Sequence, residues 1–263
     1  MIILSTMCRI LSKPLLENRE VWYNKCIYKG GITMSKEFKL TLVKSLLVIL
    51  VYFFYQDIIS IPLTMLNIDL THADSLTNTA VNVYYIACHV VYVIAIFFLY
   101  KDSFKEDMKD LKTHKGQRLK QGIIYILISI VVFSLASGIV SSLGATQYSN
   151  NDTILEGITK LPAYTFMLVV ICLPIIEQIT FKKTVKDVID NKWMFIIFSS
   201  LLYGFFNVAF TATAPLDYLI MIPYILQSII LCSLYYKTNN ITQLILMLTS
   251  YNFIVFVLNA LFP

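Results

Sequence analysis

The chain has 263 residues, of which 57% are apolar and only 14% charged, with a mean hydropathy of +0.71. Soluble domains run nearer a quarter charged, so the polar side chains needed to cover a water-facing surface are missing, and a soluble globular protein is excluded. The formal charge of +5 is distributed as a topology signal rather than as a nucleic-acid footprint, and nucleic acid is not an expected partner.

Residues 1–33 form a basic tail with Arg9, Lys13, Arg19, Lys25 and Lys29 and no apolar run long enough for a signal peptide. Lys29-Gly30-Gly31 can be encoded by a purine run that reads as a ribosome-binding site, two codons before Met34. Met34 is therefore the expected start, with an ordinary basic tail as the alternative. A membrane-spanning helix needs about 20 mostly apolar residues. Such runs are predicted at 40–61, 79–100, 121–143, 161–181, 193–210, 217–236 and 241–262, about seven spans, with Pro62 ending or bending the first. Three parts follow: two helices and a basic loop over 34–120, a third helix and outer loop over 121–160, and a four-helix core over 161–263.

Lys and Arg alternate between the spans. One side holds Lys36, Lys39 and Lys44, then seven bases between Lys101 and Lys120, then Lys182, Lys183, Lys186 and Lys192, then Lys237. The other side holds only Lys160. The positive-inside rule puts the N-terminus in the cytoplasm. The 101–120 loop mixes its bases with Asp102, Glu106, Asp107 and Asp110. It reads as a solvated linker, with binding to anionic lipid headgroups as the alternative. Cys88, Cys172 and Cys232 sit in apolar runs and, with Cys8 and Cys26, share no metal-ligand spacing. They read as small apolar side chains without disulfides.

Charges inside a bilayer are rare and face a protein interior or a wet cavity. Glu177 is the one carboxylate placed there by pattern, in a helix expected to continue to a turn near Asn191-Lys192. Glu177 lies 15 residues before Lys192 and Asn207 lies 15 after it, so both stand about 22 Å from the turn. Asn252, 12 residues into the last span, lies about 18 Å deep. The three are expected to converge on one layer. Each has an ordinary alternative, interhelical hydrogen bonding for the amides and a buried structural acid for Glu177. His89, among Tyr84, Tyr85 and Tyr92, reads as a packing histidine rather than a ligand.

These residues resemble the signatures of the CPBP family of intramembrane proteases, which includes CAAX prenyl proteases and bacteriocin-processing or immunity proteins. The family carries E-E-x-x-x-R, F-x-x-x-H and H-x-x-x-N on successive membrane helices. Glu177-Gln178-Ile179-Thr180-Phe181-Lys182-Lys183 stands in the first frame, Ser200 to Asn207 in the second, and Leu248 to Asn252 in the third. The resemblance covers residues 160–263. It implies an all-α, polytopic membrane bundle in a bacterial plasma membrane with Glu177 as the catalytic position, joined by Asn252, and with Gln178, Lys182 and Asn207 as motif or cavity positions.

The departures are specific. Gln178 replaces the second glutamate and Lys182 the arginine, while Asn207 and Leu248 replace both histidines. Zinc wants about three N, S or carboxylate ligands, and asparagine has no proton to trade as a general base. The expectation is a degenerate protease without a cofactor, binding lipid and a membrane-associated peptide or envelope protein, as an immunity-like or scaffold protein. The alternative is an active endopeptidase on membrane-associated or CAAX-like peptides using Glu177, with zinc if the family's metal chemistry survives. A transporter, suggested only by Pro174 and Pro223, is the third reading.

Overall fold

A segment surrounded by hydrocarbon must pair its backbone N–H and C=O groups internally, which restricts it to helices or closed barrels. The computed structural model describes residues 36–66, 75–145, 162–209, 212 and 214–261. The basic tail over 1–33, the expected start at Met34, His72 and much of the expected outer loops lie outside the described residues. Among those described, the chain is helical with no strand.

The helices are α1 (Lys36–Met65), α2 (Ser75–Leu99), α3 (Lys101–Thr113) and α4 (Lys115–Ser142). They are followed by α5 (162–188), α6 (Lys192–Val208), a 3-10 turn (Pro215–Ile220), α7 (Met221–Thr238) and α8 (Ile241–Leu261). Among the described residues, six helical stretches are long and apolar enough to cross a bilayer. α6, the other expected span, has 17 residues, the lower end of the crossing range. Large apolar side chains such as Leu50, Phe98, Leu135 and Phe253 are exposed on these helices, which is costly in water and neutral in lipid. Pro62 lies inside α1, which runs on to Met65 rather than ending at the proline.

Local chemistry sets the ends. The Asn191 side chain accepts from the Met194 N–H at 3.1 Å and starts α6, close to the predicted turn. Asn239, at φ 49°, stops α7 in the left-handed conformation that asparagine tolerates, and Lys186 Nζ donates to its side-chain oxygen. α7 packs between α6 and α4, and the C-terminal part of α5 packs on α1. The buried core joins Ile176 and Ile179 of α5 with Phe195 of α6, Leu231 and Leu234 of α7, and Ile241 and Leu244 of α8.

Gly204 explains how closely α6 and α7 approach. A Cβ there would run into Ile225 Cγ1 and come within 3.2 Å of the Met221 carbonyl. Small residues let membrane helices come together in this way. Gly204→Val should destabilise the fold by about 1–3 kcal/mol through overpacking, read as a lower unfolding midpoint in detergent. An unchanged midpoint would mean that α7 moves aside freely.

The 101–120 segment corrects the expectation of a solvated linker. It folds as α3 and the first turn of α4, and its acids serve the N-terminus of α8, where unpaired N–H groups and the helix dipole attract carboxylates. Asp107 Oδ2 accepts from the Thr242 backbone N–H at 2.9 Å and from its hydroxyl at 3.0 Å. Asn240 Oδ1 accepts from Gln243 N–H, while its amide donates to the Asp107 carbonyl and to Asp110 Oδ2. Arg118 forks over Asp110 at 2.9 and 3.0 Å. A mixed charge string looks solvated in one dimension, and only the approach of α8 decides which carboxylates turn inward.

This end is acid-sensitive in a defined direction. The Arg118 guanidinium holds the Asp110 carboxyl at about 2, below the value of about 3.9 for an unfolded chain. Its contribution is therefore full above about pH 4 and is lost as pH falls towards 2. Burial pushes Asp107 up, against the pull of Thr242, a contribution of opposite sign that stays the same when Asp110 is replaced. Between pH 6 and 3 the wild type should lose more in Tm than Asp110→Asn does. Parallel losses in the two proteins would reject the assignment.

Candidate functional site

The site is built on α5, which is not a uniform α-helix. Phe166–Cys172 and Ile179–Lys183 are π-helical, and Leu173–Gln178 between them is α-helical. π turns carry i→i+5 bonds and recur at functional sites. Glu177 and Gln178 sit at the end of the short α stretch, between the two.

The first π segment accounts for Asn252. In it the Leu173 N–H bonds to the Leu168 carbonyl, five residues back. The next donor in that register would be residue 174, serving the Val169 carbonyl, but Pro174 has no N–H. The Asn252 amide of α8 donates to that carbonyl at 2.8 Å. A proline on one helix thus creates the acceptor that an asparagine on another satisfies. At the far end of the second segment, the Thr184 hydroxyl donates to the Thr180 carbonyl, and the Ser199 hydroxyl of α6 donates to the Phe181 carbonyl at 2.5 Å.

The second π segment accounts for Lys182. On an α-helix, positions 177 and 182 would point about 140° apart. The i→i+5 turn swings them together, and Tyr203 of α6 lies between. Its hydroxyl donates to Glu177 Oε2 over a long 3.4 Å, and Lys182 Nζ lies 4.7 Å from its ring centroid. This distance is within cation–π range. Lys182 is fully buried and Gln178 nearly so, and neither Lys182 Nζ nor Gln178 Oε1 has a hydrogen-bond partner among the described residues. Phe181 meets Tyr203 and Tyr52 edge-on, with centroids 5.6 and 4.9 Å apart. Deeper in, Ser199 and Ser228 lie 3.1 and 3.7 Å from Cys232 Sγ, so this cysteine sits in a buried polar cluster rather than a purely apolar run.

The expected meeting of Glu177, Asn207 and Asn252 takes a different form. Asn207 Nδ2 donates to the Tyr203 carbonyl on its own helix at 2.8 Å, and Asn252 engages Val169, about two turns of α5 from Glu177. Equal path length from a turn sets depth but not direction around the helix axis, and the π segments alter both. Leu248 packs against the hydrophobic core. Sequence reasoning missed Tyr203. The usable signal was its place one helical turn before Asn207, on the face where the family carries histidine.

His89 donates through Nδ1 to the Tyr85 carbonyl at 2.7 Å, the only role a carbonyl allows. It packs among Tyr55 and Tyr164, with Nε2 unpartnered among the described residues. With Tyr52, Leu173 and Ile176 it lines a cavity of about 200 Å³. Among the described residues no three His, Cys, Asp or Glu side chains gather as metal ligands. Glu177 has a tyrosine hydroxyl and a lysine for neighbours. This donor set does not fit zinc.

Residues 159–254 match the family model described as Type II CAAX prenyl endopeptidase Rce1-like. The match takes in all of α5, α6 and α7 and most of α8, so the membrane core that carries Glu177 is CPBP-like and CAAX-protease-like. No curated protein and no solved structure matches the chain.

Proposed function

We propose that this is a multi-pass protein of a bacterial plasma membrane whose CAAX-protease-like core binds a membrane-associated peptide without cutting it, as an immunity-like or envelope scaffold protein. The observation that carries the reading is the occupancy of the catalytic frame. Glu177 is engaged by Tyr203 with Lys182 alongside, while the histidine positions hold Asn207, turned to its own helix, and Leu248, packed in the core. Water activation needs a base that exchanges protons near the working pH, usually with a partner that orients it. Gln178 Oε1 and Lys182 Nζ, without a hydrogen-bond partner among the described residues, favour binding, because an unpaired buried polar group costs about 1–3 kcal/mol until something satisfies it.

The test places the purified protein in vesicles with a photoactivatable peptide ending in a prenylated CAAX-type sequence. The expected result is a cross-linked, uncut peptide. Cleavage by the wild type that is lost in a folded Glu177→Gln variant would overturn this reading, and absence of both cross-link and cleavage would overturn peptide binding.

The alternative is an active endopeptidase in which Glu177 activates water. It is favoured by the placement of Glu177 between two π turns. Asn207 and Asn252 each use an amide N–H on a backbone carbonyl, and each amide has a second N–H that could meet an oxyanion. In that case Glu177→Gln should lower the cleavage rate by roughly 10²–10⁴.

A further inference from the structure

We infer that α3 is a docking surface for the headgroups of anionic phospholipids. The inference is independent of the peptide-binding reading and rests on how the fold sorts the charges of residues 101–113. At 100° per residue, Lys101, Lys105, Lys109 and Lys112 fall within about 80° of one another on α3, and all four are exposed. The opposite face carries Phe104, Asp107, Asp110 and Leu111. There Asp107 is buried against Thr242 and Asp110 is held by Arg118 and Asn240.

Folding therefore removes two carboxylates from the outward balance. Only Asp102 and Glu106 stay exposed beside the lysine stripe. A charge string that is nearly balanced in sequence becomes a basic face in space. Met108, 43% exposed, lies in the same stripe and supplies an apolar contact of the kind that seats an interfacial helix.

Position selects the occupant. α2, with its exposed Phe97 and Phe98, is joined to α3 by Tyr100 alone, and α4 follows α3 after His114 alone and soon presents exposed Ile123 and Ile124. Both ends of α3 are thus tethered at the boundary of a bilayer-crossing helix, where lipid headgroups lie. Lys44 Nζ pins the junction, donating to the Leu99 carbonyl at 2.7 Å. Lysines at that depth attract an anionic leaflet within a Debye length.

The test reconstitutes the full chain in phosphatidylcholine membranes with a minor share of spin-labelled phosphatidylglycerol or phosphatidylcholine of the same acyl chains. It then measures relative association with the protein. Wild type should prefer phosphatidylglycerol several-fold, and the preference should shrink with added salt. The variant with Lys101, Lys105, Lys109 and Lys112 all changed to Gln should fall to near equal association. The same four positions changed to Arg should keep the preference, as should Lys192→Gln with Lys237→Gln. No preference in wild type, an unchanged preference in the four-glutamine variant, or equal loss in the Lys192 and Lys237 control would each overturn the assignment.

Discussion

Lys182→Met should destabilise the purified protein by roughly 1–3 kcal/mol, the cost of leaving the polar Glu177 side chain buried without its lysine neighbour, and adding Glu177→Gln should recover most of it. Lys182 is fully buried, its Nζ has no hydrogen bond among the described residues, and Tyr203 touches both groups, with its ring centroid 4.7 Å from Lys182 Nζ and its hydroxyl 3.4 Å from Glu177 Oε2. A change at one position is therefore felt at the other. Removing both leaves two neutral side chains of similar volume, which buried pairs often accept with little loss. Unfolding midpoints in detergent for the two single variants and the double variant form a cycle. Additive losses would show that the two groups are independent, and Tyr203 would then be a coincidental neighbour.

Asn252→Leu should cost about 1–3 kcal/mol, because the Val169 carbonyl would be buried without a donor, and the cost should largely vanish in a Pro174→Ala background. Alanine at 174 returns the backbone N–H that the π register directs at Val169, so the side-chain donor becomes redundant. The coupling between the two positions is the readout. A full penalty for Asn252→Leu with alanine at 174 would mean that Asn252 acts elsewhere, for instance on a peptide in the cavity. That result would move the assignment towards the catalytic alternative.

The membrane class and the places of the apolar helices were legible in one dimension, because hydrocarbon imposes a length and a composition that no neighbour can relax. Glu177 was legible for a related reason, since a carboxylate amid Leu, Ile and Val needs an explanation whatever surrounds it. The turn near Asn191 was legible as the break between two apolar runs, and the structure adds the bond from the Met194 N–H to the Asn191 side chain that fixes it. Tyr203 was not, because an aromatic residue in a membrane helix is ordinary until its hydroxyl is seen on a carboxylate.

The sequence by itself determined a polytopic helical membrane protein, the sorting of its lysines between loops and the position of Glu177 as an acid within an apolar helix. Tertiary structure alone decided what that acid meets. The second π turn brings Lys182 to the Tyr203 ring, Asn252 goes to a carbonyl that Pro174 leaves open, and two aspartates of α3 turn to α8 so that its lysines face outward. The physical reason is that hydrophobic burial depends on composition and can be summed along a chain. Hydrogen bonds and charge pairs depend on direction around a helix axis, and that direction is set only when the helices pack.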